Sequence, residues 1–224
     1  LVAHARELEA RFGIGPHTVS FPRLESAAGS GLPADALKKV TDGDFRRLVA
    51  VLRLSIPYAG MIVTARERPD VIRGVIGMCT QRDAGTRIGI GSYSERYDEQ
   101  ETSRQQFMLG DTRPLDEVIG ELADMGYITS FCTSGYRCGR TGDHIMKLLK
   151  SGKESRFCKL NAILTFREWL DDFASDAVKA KGEALIRKEI AEVRARSADF
   201  PPETVKLLEG YYSRIEGGER DLCF

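Results

Sequence analysis

The sequence predicts an α/β fold in two parts, and three observations carry that expectation. Over the first hundred residues, short apolar runs alternate with helical apolar patterns, as in a βαβ series. Glycine- and proline-bearing turns separate those runs. After residue 105 the character changes to helical segments rich in charge. With 224 residues, 42% of them hydrophobic, the chain can bury one sizeable core or two smaller ones.

Taken in order, residues 3–12 read as a helix with charges on one side, and residues 18–22 as a short strand closed by Pro22. Residues 27–37, containing AAGSGLP, read as a flexible loop. In residues 45–56, Phe45, Leu48, Val49, Leu52 and Ile56 recur at helical spacing, with Asp42 or Asp44 as the expected cap. Residues 61–64 read as a strand and 69–76 as a helix opened by Pro69. The glycine-rich run 85–91 closes the series. Residues 115–125 follow as an amphipathic helix, then a strand at 128–132 aimed at a cysteine loop. Residues 166–173 carry an aromatic stripe, read as core, and 177–197 predict a long solvated helix.

Lys plus Arg and Asp plus Glu both number 33, so the formal net charge is zero. This balance supplies no electrostatic reason to expect nucleic acid or an anionic membrane as partner. No apolar run is long enough for a spanning helix, and no charged-then-apolar leader opens the sequence. Five cysteines at irregular spacings fit a reducing compartment, with the cytoplasm as the default, better than a disulfide scaffold.

Three of those cysteines, Cys132, Cys138 and Cys158, fall in the segment FCTSGYRCGRTGDHIMKLLKSGKESRFCKLNAILTF, among glycines and basic residues. Soft thiolates on a loop suit an iron–sulfur cluster or zinc. Their spacing is neither that of paired zinc knuckles nor that of a ferredoxin. The residues by themselves leave a second reading open, in which Cys132 ends a buried strand, Cys158 lies on an apolar face and only Cys138 is exposed.

The same segment resembles the C-terminal part of the radical S-adenosylmethionine (radical SAM) tyrosine lyases that mature FeFe hydrogenases. Their motif reads FCTACYRxGRTG, followed by FC-x-PNA-x-x-TF. The resemblance covers practically the whole chain: LVAHARELEARFGIGPHTVSFPR is similar to HA-x-x-LE-x-x-FGVGPHTISVPR, GMIVTARE to GMILSTRE, and AGTRIGIGSY to AGSRTGIGGY. Several motifs in one order are far more specific than any single glycine-rich match.

The resemblance implies the C-terminal part of a radical SAM TIM-type (β/α) barrel followed by a mainly helical auxiliary-cluster domain. Residues 1–104 would be the last strand–helix units of the barrel, with a biotin and thiamin synthesis-associated region extending to about 130. Residues 105–224 would be the domain of the auxiliary 4Fe-4S cluster. Cys132 and Cys158 match two ligands of that cluster, Gly135 stands where the family has the third, and Cys138 is the candidate substitute. His4 matches a histidine that helps hold an extra labile iron. Arg66 matches the arginine that grips the carboxylate of the amino-acid substrate, the alternative being a surface pair with Glu67. Thr86 stands where the family has serine and would contact substrate, with Arg87 and Tyr93 as further candidates. His17 and Arg23 would border the cofactor, and Arg140 and Asn161 would support the cluster loop.

The implied activity is cleavage of tyrosine to p-cresol and dehydroglycine by a radical from S-adenosylmethionine, then formation of carbon monoxide and cyanide for the hydrogenase. Tyrosine and the other hydrogenase maturation proteins are the implied partners. The CxxxCxxC loop that such a radical step needs does not occur in these residues. The chain therefore reads as a fragment of the lyase and is not expected to be active alone; a partner protein lacking the radical domain ranks second. Two other functions stay open: a thiamine-pathway type 2-iminoacetate synthase without a working auxiliary cluster, and a non-catalytic iron–sulfur or scaffold module.

Overall fold

A computed structural model describes residues 1–25, 38–91, 100–101, 103–131 and 137–224. Two compact units emerge, Leu1–Pro114 and Leu115–Phe224. The first unit extends ten residues beyond the expected boundary at 104, because the chain after Gln100 folds back onto it. Gly110 and Asp111 both donate to the Ala65 carbonyl, and the Arg113 carbonyl accepts from Gly85.

The first unit alternates helix and strand. Helix α1 (Val2–Phe12) ends at Gly13, whose positive φ of 71° permits the left-handed cap. Strand β1 (Thr18–Ser20), helix α2 (Asp42–Ser55), strand β2 (Gly60–Val63), helix α3 (Pro69–Val75) and strand β3 (Gln81–Arg82) follow. The three strands form a parallel sheet in the order β1-β2-β3, with Val19 opposite Met61 and Val63 opposite Arg82. Parallel strands need crossover helices, and α2 and α3 are those crossovers. Thr41 caps α2 by accepting from the Asp44 amide at 3.1 Å. Asp42 and Asp44 fall in the first turn instead, where their charge favours the helix N-terminus. Phe45, Val49, Leu52 and Ile56 are buried. Leu48, expected on that face, is 41% exposed, because it lies to the side of the stripe set by the other four. Strand β3 carries no apolar alternation; it joins the sheet by register with β2, and no periodicity in the sequence marks it.

The second unit is helical among the described residues: α4 (Leu115–Asp124), α5 (Gly142–Lys150), α6 (Glu154–Asp172), α7 (Asp176–Ala195) and α8 (Pro202–Glu216). Helix α6 packs against α7 and α8, and α4 against α7. Ile163, Leu164, Phe166, Ile186, Leu208 and Ile215 form the dry centre. The expected solvated helix at 177–197 is therefore corrected. Val178, Gly182, Leu185, Ile186 and Val193 of α7 are buried, and at Gly182 a Cβ would stand 2.5 Å from Leu170. Of the aromatic stripe, Phe166 and Trp169 are core and Phe173 is 73% exposed. The expected strand at 128–132 is corrected over its described residues: Phe131 lies on α6, stacked on Trp169 at 5.6 Å, with its amide 3.4 Å from Thr165 Oγ1. Among the described residues no helix is long and apolar enough to cross a membrane.

Candidate functional site

The parallel sheet points the exits of its three strands the same way, and such exits collect functional groups in α/β folds. Arg23 follows β1, Arg66 and Glu67 follow β2, and Thr86 follows β3. His17 precedes β1, so it stands at the opposite end of the strand from Arg23 and not beside it, and its carbonyl accepts from the Gly60 amide at 2.9 Å.

The two arginines are used differently. Arg23 is spent: its Nε donates to Glu67 at 3.0 Å, a second nitrogen bonds the other Glu67 oxygen, and its third reaches the Val40 carbonyl and Asp42, both at 2.8 Å. Glu67 is 2% exposed, so this fork neutralises a buried carboxylate. The Glu67 hydrogen bond raises the Arg23 pKa despite burial, and Asp42 is held below the usual carboxylate range by Arg23 and Arg68. Glu67 thus pairs with Arg23 and not with Arg66. The Arg66 guanidinium lies over the Phe107 ring, 3.5 Å from its centroid. A stacked guanidinium keeps its in-plane donors at the edge, and among the described residues those donors make no hydrogen bond or ion pair. The geometry suits a bidentate grip on a carboxylate.

Thr86 lines a cavity of about 500 Å³ with Arg87, Gln100, Arg104 and Leu109. Gln100 braces its wall: its Oε1 accepts from the Leu109 amide at 2.6 Å and its Nε2 donates to the Leu109 carbonyl at 2.9 Å. Behind the wall, Asp111 accepts from Arg82 at 2.8 Å and from Arg113 at 2.9 Å. Burial alone would raise the Asp111 pKa; hydrogen bonds from Arg113 and Arg82 outweigh it and hold the carboxyl low. Thr64, at the exit of β2, has a buried hydroxyl without a hydrogen-bond partner among the described residues. Neither Gln100 nor Thr64 was legible as a site residue, since isolated polar residues at loop edges carry no spacing signal. Tyr93 lies outside the described residues.

In the second unit, Cys138 and Cys158 are exposed cysteines, and Cys223 is a half-buried one. Cys132 and Gly135 lie outside the described residues. Arg140 and Asn161 converge on Phe224: both donate to its main-chain oxygen, at 2.9 and 3.3 Å, and the Cys138 thiol approaches the same oxygen at 3.5 Å. The Arg140 Nε also stands 3.3 Å from buried Glu154. Thiols suit iron or another soft metal, so the donors fit an iron–sulfur cluster in kind. Among the described residues no three His, Cys, Asp or Glu groups form a set around one ion. Thiolates of a cluster each bind a different iron and stand farther apart than ligands of one ion. His4 is exposed on α1, in the first unit.

Residues 20–128 match the Biotin and Thiamin Synthesis associated domain. A solved HydG, described as a maturase of the FeFe-hydrogenase, is 39% identical over 99% of this chain and superposes with a TM-score of 0.85. The chain belongs to the HydG family. A second HydG, the FeFe-hydrogenase maturase from Carboxydothermus hydrogenoformans, is 31% identical over 94% of the chain with a TM-score of 0.62. The chain spans 46% and 42% of the length of these two HydG chains. A comparison with curated proteins found none that matches.

Proposed function

We propose that this chain serves hydrogenase maturation as the substrate-clamping side of a radical SAM barrel and the auxiliary iron–sulfur domain of a tyrosine lyase. The observation that carries the reading is the HydG likeness running through both units, over 99% of the chain. The position of Arg66, half-buried at a parallel strand exit with its donors unspent among the described residues, supports it. In this reading the cluster and S-adenosylmethionine held by the rest of such an enzyme supply the radical that breaks the tyrosine Cα–Cβ bond. Arg66 holds the tyrosine carboxylate by its fork, fixing orientation as well as charge. Thr86 and the cavity wall around it exclude water and offer a hydroxyl to the substrate. Cys132, Cys158 and a substitute thiolate would hold the auxiliary cluster.

The test is a chimera that joins this chain to the HydG portion carrying the CxxxCxxC loop. It should release p-cresol from tyrosine under reducing, anaerobic conditions. Arg66→Lys should raise the KM for tyrosine by a factor corresponding to about 1–3 kcal/mol, with the melting temperature unchanged. An unaltered tyrosine dependence removes Arg66 from the site. Gly135 at a ligand position favours a second reading, a lyase that stops at dehydroglycine. It would show as p-cresol without cyanide.

A further inference from the structure

Helix α8 turns Leu208 and Ile215 into the core of the second unit, and its opposite face is open. Glu203, Leu207, Gly210 and Arg214 recur along that face at steps of four, three and four, the spacing of a seam that another helix can cover. With Lys206 and Tyr211 they line a shallow groove of about 340 Å³. Leu207 is 45% exposed, and a Cβ placed on Gly210 would meet nothing within 4 Å. Glycine is a poor helix former, and no described residue of this chain fills the gap that this one leaves. Glu203 and Lys206 make no hydrogen bond or ion pair among the described residues. Arg214 pairs with Glu219 and lies over the Tyr211 ring at 5.3 Å, yet about half of its side chain stays in solvent. The series is symmetric about the bond between Leu208 and Glu209. An identical helix laid antiparallel on this face therefore sets Glu203 opposite Arg214 of the second copy, brings Leu207 into the gap at its Gly210, and lays Lys206 beside its Tyr211. Every contact occurs twice, as a two-fold interface requires.

We propose that the open face of α8 is an interface with a second copy of this chain, in which the two α8 helices pair antiparallel through Glu203–Arg214 contacts and Leu207 seated at Gly210. The occupant is a second copy because the complementarity, of charge and of shape, runs from this face to itself. A single helix pair is smaller than a standard interface, so the association is weak, with a Kd on the order of 10⁻⁵ M. Its two exposed charge pairs make it weaken as salt rises. The pairing uses neither the strand exits nor the cysteines, so it stands or falls apart from the lyase reading.

The experiment is analytical ultracentrifugation of the 224-residue chain across that concentration range, with reductant present so that the exposed Cys138 and Cys158 cannot cross-link copies. The unaltered chain should pass from monomer to dimer. Glu203→Arg and Arg214→Glu each set like charges opposite one another at both ends of the seam, so each alone should self-associate about tenfold more weakly or less. An equal mixture of the two should dimerise as the unaltered chain does, because the two-fold then joins every arginine to a glutamate. Gly210→Leu fills the gap and should abolish the dimer. Its melting temperature should stay level or rise, since leucine is the better helix former at an exposed position, and this separates loss of the interface from loss of the fold. The pairing is overturned if the unaltered chain remains a monomer at about 10⁻⁴ M. It is equally overturned if the mixture associates no better than either variant alone, or if Gly210→Leu dimerises like the unaltered chain.

Discussion

The two units bury charge in different places. The first threads ion pairs through its interior, with Arg23 on Glu67 and Arg82 and Arg113 on Asp111, around a sheet of three very short strands. The second keeps its apolar centre free of charge and sets its ion pairs, some of them buried, outside that cluster: Arg140 stands beside Glu154, Arg167 forks onto Asp171, and Lys159 reaches Glu189 and Glu192. In the reading proposed above, strand exits that bind a charged substrate need oriented guanidinium groups, and those need buried partners to fix them. The helical unit draws its order from the close packing of its apolar centre. Arg66 and Arg23 make the point at close range. One arginine at a strand exit is spent on structure, and its neighbour across the sheet, Arg66, keeps its in-plane donors unspent among the described residues.

The sharpest way to break this comparison is Phe166→Ala. The side chain is fully buried among Ile163, Trp169 and Leu170, and its loss should cost about 3–5 kcal/mol by removing contacts and leaving a cavity. Amide hydrogen exchange should accelerate in α6, α7 and α8. A loss below about 1 kcal/mol would mean that the second unit does not depend on its dry centre.

Next comes Asp111→Asn, which leaves Arg82 and Arg113 without their carboxylate and should cost about 3 kcal/mol, read from exchange in β2, β3 and the segment 103–113. The same group sets a pH dependence. Its folded pKa is depressed below the ordinary 3.8, so its stabilisation is present above that value and is lost as pH falls through the lower folded pKa. The unaltered first unit should therefore weaken below about pH 4, with less of that acid loss in Asp111→Asn. Equal acid sensitivity in both proteins would show that Asp111 is not the group responsible.

The smallest expected effect is at the cap of α2. Thr41→Ala removes the acceptor for the Asp44 amide and should cost about 1 kcal/mol, with Thr41→Ser nearly neutral. An equal cost for Ser and Ala would assign the effect to the threonine methyl group.

Much of the local structure could be read from the residues. Pro69 opening α3, the burial of Phe45, Val49, Leu52 and Ile56, and the turn at Gly13 all follow from spacing and backbone preference over a few residues. Resemblance to a family pointed to Arg66, which stands at a strand exit, whereas Cys158, expected on a loop, lies within helix α6. Charge content misread α7 as a wet helix, because a helix can be rich in Lys and Glu and still bury one narrow face. What only the tertiary structure decided lies in contacts between residues far apart in the chain. Glu67 chooses Arg23, 44 residues away, over its neighbour Arg66. Phe224 joins Asn161 and Arg140, 63 and 84 residues away. Periodicity reports which face of an element is apolar, whereas these pairings depend on how elements dock, and that is set by the whole core at once.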